Sequence, residues 1–471
     1  MNKETEGGVG MTAKEKICGI YFANHFFNFY HEAPIGEICK YIDELKNEGQ
    51  NAVCLWFDMH HYSGADDVGA REMLEKMNAL FSYAHSVGMK ICVTLLANEY
   101  YKNAPAELRA ENSTENGLYH SKLNGFYYTE LCPSRHEGRR LITESKRELF
   151  GALSEQPDYI ILWPYDQGGC TCEKCFPWGA NGFYSLAKEE AKLAREFFPG
   201  VKIILSAWLF NAFTDGEWDA FFRRLKNDVI WFDFLMVDIF ANLPNQIKNL
   251  GVPILSFPEI SMKGAVPWGG FGANPYPAAI KEKFAKVTEF VDGGFAYSEG
   301  IFDDINKAVV LALYADPKKE VREIVLDYAK RYFVCDAAKD VCELVFGLEK
   351  TLPRRLAARN GKVLPEYPSE CFKELPKIVF ENSDMIRDLF KKAVEIDERL
   401  SEPVKKSWRW RILYLRAVAD YFLYKNGGFP SDEPDRVYAE LEKIYYAQGT
   451  PFFLSPITRK SVMRPDIQAL N

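Results

Sequence analysis

A (β/α)8 TIM barrel followed by an α-helical C-terminal domain is the architecture this sequence predicts, and three observations lead to it. Between residues 17 and 316, eight short apolar, β-branched runs alternate with stretches of helical spacing. Beyond residue 316 only the helical periodicity continues. The positions just after the apolar runs, above all after the fourth, carry carboxylates beside glycines, which is where a barrel keeps its reactive groups.

The runs fall at residues 17–26, 51–58, 89–98, 158–165, 201–210, 229–237, 252–257 and 293–297, after a polar tail over 1–16. Ile35, Ile38, Ile42 and Leu45 recur at helical spacing between the first two, and Met73, Met77, Leu80, Phe81 and Ala84 do so after the second. Strands that are apolar nearly throughout are buried on both faces, so they pair in parallel beneath a layer of helices. Eight repeats close most simply into a barrel, with an open doubly wound sheet as the alternative. In the region 317–471, Val321, Ile324, Val325, Tyr328 and Tyr332 share one helical face, and further helices are predicted over 408–425 and 434–446. No Gly/Ser-rich linker separates the two regions, so these helices are expected to pack on the barrel. Trp408, Trp410 and Tyr414 suit either that packing or a homodimer contact. Long insertions at 100–130 and 262–277 follow strands three and seven, on the substrate face of a barrel.

Composition narrows the function. The chain of 471 residues is 47% apolar and 14% aromatic, which suits a large globular core, and its formal charge of -8 supplies no basic stripe for a phosphate backbone. Nucleic acid is therefore excluded as an expected partner. No window approaches 18 uninterrupted apolar residues, and the first 16 lack the apolar core of a secretory signal, so neither a membrane partner nor export is expected and the reading is cytoplasmic. Eleven cysteines, several within apolar strands, suit a reducing compartment.

In a barrel, side chains at the strand C-termini converge on one mouth. Here they are Asn24 and His25 after strand one, Asp58 and His60 after two, Glu99 after three and Asp166 after four. Asp238 follows strand six, Glu259 seven and Glu299 eight. Carboxylates facing one mouth among Trp163, Trp208, Trp268 and Tyr297 match the needs of glycosidic-bond cleavage: two acids around the bond and flat faces for sugar rings. Asp166, Glu259 and Glu299 are the candidate catalytic acids. Asn24, His25, Asp58, His60, Glu99, Trp163, Trp208, Asp238, Trp268 and Tyr297 are the candidates for holding the sugar. Any one strand-end acid also suits a helix N-cap, the expected role of Asp303 and Asp304. His60 and His61, read as neighbours on a strand, would point to opposite faces, which favours a hydroxyl contact by His60 over a shared metal.

Strand four runs into Trp163-Pro164-Tyr165-Asp166-Gln167-Gly168-Gly169-Cys170-Thr171-Cys172-Glu173-Lys174-Cys175. Cys170, Cys172 and Cys175 on this loop, with Cys132 as a remote fourth, suit a closed structural zinc site; free reduced thiols are the alternative. The chemistry itself calls for no cofactor.

This order of parts, with Leu131-Cys132-Pro133-Ser134 before the third helix and Asp-x-Gly-Gly-Cys-x-Cys-x-x-Cys after the fourth strand, resembles TIM-barrel glycoside hydrolases related to family 20. The nearest branch is that of the family 163 endo-β-N-acetylglucosaminidases and, more loosely, that of the family 67 α-glucuronidases. The likeness spans roughly residues 17–340, with its specific part in 131–175. It implies hydrolysis of a small oligosaccharide, hexosaminide or uronide, by carboxylate acid/base chemistry, with Asp166 in the site and, on the α-glucuronidase pattern, Asp238 and Glu259. Two departures stand out. Family 20 enzymes carry an adjacent Asp-Glu pair where this chain has Asp166-Gln167, and the α/β domain that often precedes such barrels is not expected, since strand one begins by residue 17. Two other classes stay open: a non-catalytic glycan-binding barrel, and a zinc-dependent hydrolase or deacetylase.

Overall fold

The computed structural model describes residues 16–25, 28–111, 129–165, 169–212, 214–239, 241–261, 273–334, 336–363 and 375–446. Asp166 and Trp268 lie outside these residues.

Eight strands close into a parallel barrel in chain order: β1 Ile17–Phe22, β2 Ala52–Trp56, β3 Lys90–Leu96, β4 Tyr159–Trp163, β5 Lys202–Ser206, β6 Phe234–Val237, β7 Ile254–Ser256 and β8 Val291–Ser298. Closure comes from β1 against β8, in register from Ile17↔Gly293 to Phe22↔Ser298. The seam is tight because β8 carries two glycines. A Cβ on Gly293, whose φ is 111°, would stand 2.1 Å from the Ile17 carbonyl oxygen, and one on Gly294 would stand 2.0 Å from that of Ser256. Inside the barrel, Tyr21, Trp56, Leu96, Ile161, Ile204, Met236, Leu255 and Phe295 fill the lumen as packed layers.

Helices α1 Ile35–Asn47, α2 Val68–Ser86, α3 His136–Ala152, α4 Gly182–Phe197, α5 Glu217–Lys226, α6 Pro277–Val287 and α7 Asp304–Ala315 cover the outside. The sixth crossover departs from the expected strand–helix pairing: among the described residues only a 3-10 turn, Asn245–Asn249, follows β6. Pro244 at its entry, and Gly251 and Pro253 beyond it, leave no length for a full helix. Strand six is also shorter than its apolar run suggested, because Val229 and Ile230 lie on the surface, Val229 at 82% exposure.

Past the barrel come α8 Val321–Tyr332, α9 Ala338–Thr351, α10 Ile386–Arg399, α11 Trp408–Lys425 and α12 Asp432–Ile444. A two-stranded antiparallel ladder, β9 Arg354–Ala357 with β10 Lys377–Phe380, interrupts what the sequence suggested would be helix alone. Its four-residue strands are too short to show a period of two. Helix α11 docks on the barrel through Arg409, whose Nε donates to Asp304 at 2.8 Å and whose Nη2 donates to Glu44 at 2.7 Å. Burial opposes ionisation of Asp304, but the Arg409 and Lys307 charges outweigh it and hold that carboxyl below its ordinary range. Tyr41 and Tyr328 also donate to Asp304, at 2.6 and 2.5 Å, so its role is a buried tether. Trp410, read from sequence as a residue for either packing or a subunit contact, is fully buried, with its Nε1 donating to Asp397 at 2.7 Å. No helix among the described residues is long and apolar enough to cross a membrane.

Candidate active site

The strand C-termini place an aromatic floor at the barrel mouth. Trp163 at the end of β4 lies 5.4 Å, centroid to centroid, from Trp208 after β5 and 4.6 Å from Phe257 after β7. Phe257 is 5.8 Å from Tyr297 on β8, which stacks on Tyr21 of β1 at 5.5 Å.

Two candidate acids flank Tyr297. Past β7 the chain stays in register with β8: the Tyr297 N–H donates to the Pro258 carbonyl at 2.9 Å and the Ile260 N–H to the Tyr297 carbonyl at 3.2 Å, so Glu259 pairs with Tyr297. Residues paired across a parallel ladder, and residues two apart along a strand, share a face. The ladder thus puts Glu259 on the face of Tyr297, whose ring meets the floor through Phe257, and Glu299 follows directly on the end of β8. The Tyr297 hydroxyl donates to Glu299 Oε1 at 2.7 Å, and Glu259 Oε1 accepts from the Ser261 N–H at 2.6 Å. Ser261 ties the two loops together by accepting from the Glu299 N–H at 2.8 Å and donating to Asp303. Asp303 in turn pairs with the fully buried Lys307, so it braces the loop. Asp238, half-buried after β6, is another carboxylate at this end of the barrel.

Next to β8 around the barrel, the candidates after β1 to β3 form a buried charge network. Asn24 accepts from the Trp56 N–H at 3.3 Å and donates to Met73 Sδ at 3.4 Å. His25 packs edge-on to Trp56 at 4.7 Å; burial, against the pull of Asp58, lowers its pKa to about 3, so the ring is neutral. Asp58 Oδ1 accepts from His60 Nδ1 at 2.8 Å, and its Oδ2 lies 3.0 Å from His61 Nε2. Burial works against ionisation of Asp58, but the two histidines outweigh it and hold the carboxyl far below its usual range. For His60, burial is outweighed by Asp58 and Glu130, and its pKa rises to about 10. The pair does not stand on a strand, as the sequence suggested. It occupies a 3-10 turn, Met59–His61, that Asp58 caps, and both rings reach the same carboxylate.

Glu99 sits 4.0 Å from His60 Nδ1, and Glu130 lies 3.5 Å from His60 Nε2. Glu99 accepts from Lys146 Nζ at 2.9 Å and from Trp56 Nε1 at 3.1 Å. Burial raises its pKa, against the pull of Lys146 and His60. Ligand atoms of Asp58, His60 and Glu99 lie within 4.8 Å of one another, a spacing that a metal ion would also accept. These residues are held by partners within the protein, His60 by Asp58 and Glu99 by Lys146 and Trp56.

Several of these residues escape a reading of strand ends. Lys146 lies on α3 in line with Ile142, Leu149 and Phe150, and the readable signal is a lysine in an otherwise apolar stripe. Glu190 has the same signature on α4 among Leu186, Ala187, Ala191 and Ala194. Neither of its carboxylate oxygens is hydrogen-bonded among the described residues, and burial pushes its pKa up to about 8, with Lys146 pulling the other way. The folded chain therefore keeps a proton, between the ordinary 4.5 and about 8, that the unfolded chain has released, and stability falls as pH rises through that window. Glu190→Met is expected to raise stability at pH 8 by about 2–4 kcal/mol and to flatten the dependence of Tm on pH between about 5 and 8. Thermal unfolding at constant ionic strength measures this, and an unchanged slope would show that the carboxylate is hydrated. Glu217, at the start of α5, accepts from the Tyr165 hydroxyl at 2.5 Å and the Gly179 N–H at 2.6 Å, anchoring the residue before Asp166. Its pKa is raised to about 7 by burial.

The four candidate cysteines converge beside this network. Cys132 Sγ is 3.5 Å from Cys170 and 3.7 Å from Cys172, and the sulfurs of all four lie within 4.8 Å of one another.

No protein-family model and no curated protein matches the sequence. Among solved structures, a family 115 4-O-methyl-α-glucuronidase with specificity for decorated arabinogalactans superposes on 90% of this chain at 10% identity and a TM-score of 0.55. This chain spans only 57% of that enzyme's length. A family 138 enzyme targeting pectin rhamnogalacturonan II (12% identity, 89% of this chain and 60% of that one, TM-score 0.47) and a Thermobaculum terrenum O-GlcNAc hydrolase (12%, 92% and 81%, TM-score 0.45) are similar over much of the chain as well. At these identities the likeness is one of fold: this chain is a (β/α)8 barrel comparable to that of the family 115 glycoside hydrolase.

Proposed function

We propose that this protein is a glycoside hydrolase that cleaves a small oligosaccharide, a uronide or an N-acetylhexosaminide, with its acid and base drawn from Asp166, Glu259 and Glu299. The observation that supports this reading is that Glu259 pairs with Tyr297 and Glu299 accepts from its hydroxyl, while the Tyr297 ring meets Phe257 of the floor that Trp163 and Trp208 complete. A sugar ring laid on the indole faces would present its glycosidic oxygen to carboxylates at the rim. Asp166 follows Tyr165 directly in sequence and is the third candidate. One carboxyl protonates the leaving oxygen, and another either attacks the anomeric carbon or activates water. The α-glucuronidase activity of the family 115 enzyme makes uronides the first substrates to try.

The test is a screen of the purified protein against chromogenic aryl uronides, N-acetylhexosaminides and neutral glycosides, with Asp166→Asn run in parallel. Turnover that disappears in the variant is the expected result. A second reading, a glycan-binding barrel without chemistry, is favoured by the absence of the Asp-Glu pair, since Gln167 follows Asp166. No turnover, accompanied by a thermal shift with one of the sugars, would select it.

A further inference from the structure

We infer that Cys132, Cys170, Cys172 and Cys175 bind one structural zinc ion that locks the loop after β4 to the segment before α3. This goes beyond the glycosidase reading and does not depend on it. The four cysteines come from two segments about forty residues apart in sequence, and none of them is in a disulfide. A tetrahedral zinc with Zn–S bonds of about 2.3 Å sets its sulfurs about 3.8 Å apart. The sulfur separations of 3.5 and 3.7 Å found here approach that edge length, and the full set lies within 4.8 Å. Cys132, Cys170 and Cys175 are buried and Cys172 is half-buried, and four thiolates would fill a tetrahedral shell, leaving no coordination position for a reacting water.

The surroundings supply what a thiolate cage requires. The Glu111 N–H points to Cys170 Sγ at 3.4 Å, and the Ser134 hydroxyl lies 3.0 Å from Cys132 Sγ and 3.3 Å from Cys172 Sγ. These donors would offset the negative charge that four thiolates leave around a divalent ion. The loop is also held from behind by Asn98, the residue before Glu99. Its Nδ2 donates to the Leu131 and Gly169 carbonyls at 3.0 and 2.9 Å, and its Oδ1 accepts from the Gly169 N–H at 2.9 Å. One side chain thus joins the residues preceding Cys132 and Cys170 to the end of β3. The neighbouring helices start close by: a Cβ on Gly138 would stand 2.6 Å from the Cys132 carbonyl oxygen, and one on Gly182 would stand 2.9 Å from Cys175 Cβ. Zinc, which has no redox chemistry and takes four thiolates without distortion, suits a purely structural clamp in this position.

The test uses the full chain expressed with zinc in the medium and purified without chelator. Elemental analysis is expected to find about one zinc per chain. Removing it with a strong chelator is expected to lower Tm by roughly 10 °C and to expose thiols that were protected from a thiol reagent, both reversed by added zinc. Cys172→Ala is expected to lose the metal on dialysis, while Cys39→Ala, at a half-buried cysteine on α1, keeps it. Because a variant that fails to fold would also lose metal, the wild-type protein is reloaded with Co(II), whose intense visible absorption reports tetrahedral thiolate ligation. Wild-type protein that carries no zinc, that carries iron instead, or whose Tm and thiol reactivity ignore the chelator would overturn the inference, as would Cys172→Ala retaining a full equivalent.

Discussion

Glu259→Gln and Glu299→Gln are each expected to lower kcat by about 10²–10⁴-fold on whichever glycoside the protein turns over, with the fold intact. The substitutions are nearly isosteric, and the local hydrogen bonds survive them. A glutamine oxygen at 259 still accepts from the Ser261 N–H, and one at 299 still accepts from the Tyr297 hydroxyl. Only the charge and the transferable proton are removed. Steady-state kinetics with a Tm measured alongside would test each residue, and an unchanged kcat would take that residue out of the proposal. Strand spacing and rise put the Glu259 and Glu299 backbones about 8 Å apart. Side chains of that length converge or diverge by several Å, so the stereochemistry is best read directly. The anomer first released, followed by NMR, distinguishes retention, which goes with carboxyls about 5–5.5 Å apart, from inversion at about 6.5–9.5 Å.

Lys146→Met is expected to destabilise the fold by about 3–5 kcal/mol at pH 8, because it removes the buried cation and leaves Glu99 in place. Both side chains are fully buried. Without Lys146, Glu99 would keep the Trp56 Nε1 donor and a His60 ring nitrogen 4.0 Å away. Burial already raises the pKa of Glu99, and losing Lys146 would raise it further. The sign follows from the proton count: a carboxyl whose folded pKa lies above its unfolded value contributes stability at low pH and loses it as pH rises. The loss in Lys146→Met should therefore shrink as pH is lowered from 8 to 5, because protonation of Glu99 becomes easier once Lys146 is gone. Adding Glu99→Gln should recover most of the stability, since the uncompensated charge is gone. Denaturant unfolding at the two pH values measures all of this, and a loss below about 1 kcal/mol at pH 8 would show that water reaches Glu99.

Much of the barrel was legible from local pattern. Runs such as Ala52–Trp56 and Tyr159–Trp163 are apolar throughout, and a strand buried on both faces cannot avoid that composition. Cys170, Cys172 and Cys175 announce their cluster because three of its members are close in the chain. Where local pattern failed, other constraints prevailed. The turn after β6 is too short for helical periodicity, and β9 and β10 are too brief for strand periodicity.

What the amino-acid sequence alone determined is the succession of the eight barrel strands and most of their helices, the aromatic and acidic residues available at the strand ends, and the set of thiols. These depend on neighbours a few residues apart, where side-chain period and backbone geometry act directly. Only the tertiary structure decided which of those groups meet. It set Glu259 beside Tyr297 through the β7–β8 register, brought Lys146 from α3 to Glu99 after β3, and joined Cys132 to the β4 loop. It also turned Asp304 into the tether for Arg409, 105 residues further along the chain. Such contacts are stable because closing the barrel buries the groups together, where an unpaired charge is costly, and no local pattern encodes a partner that distant.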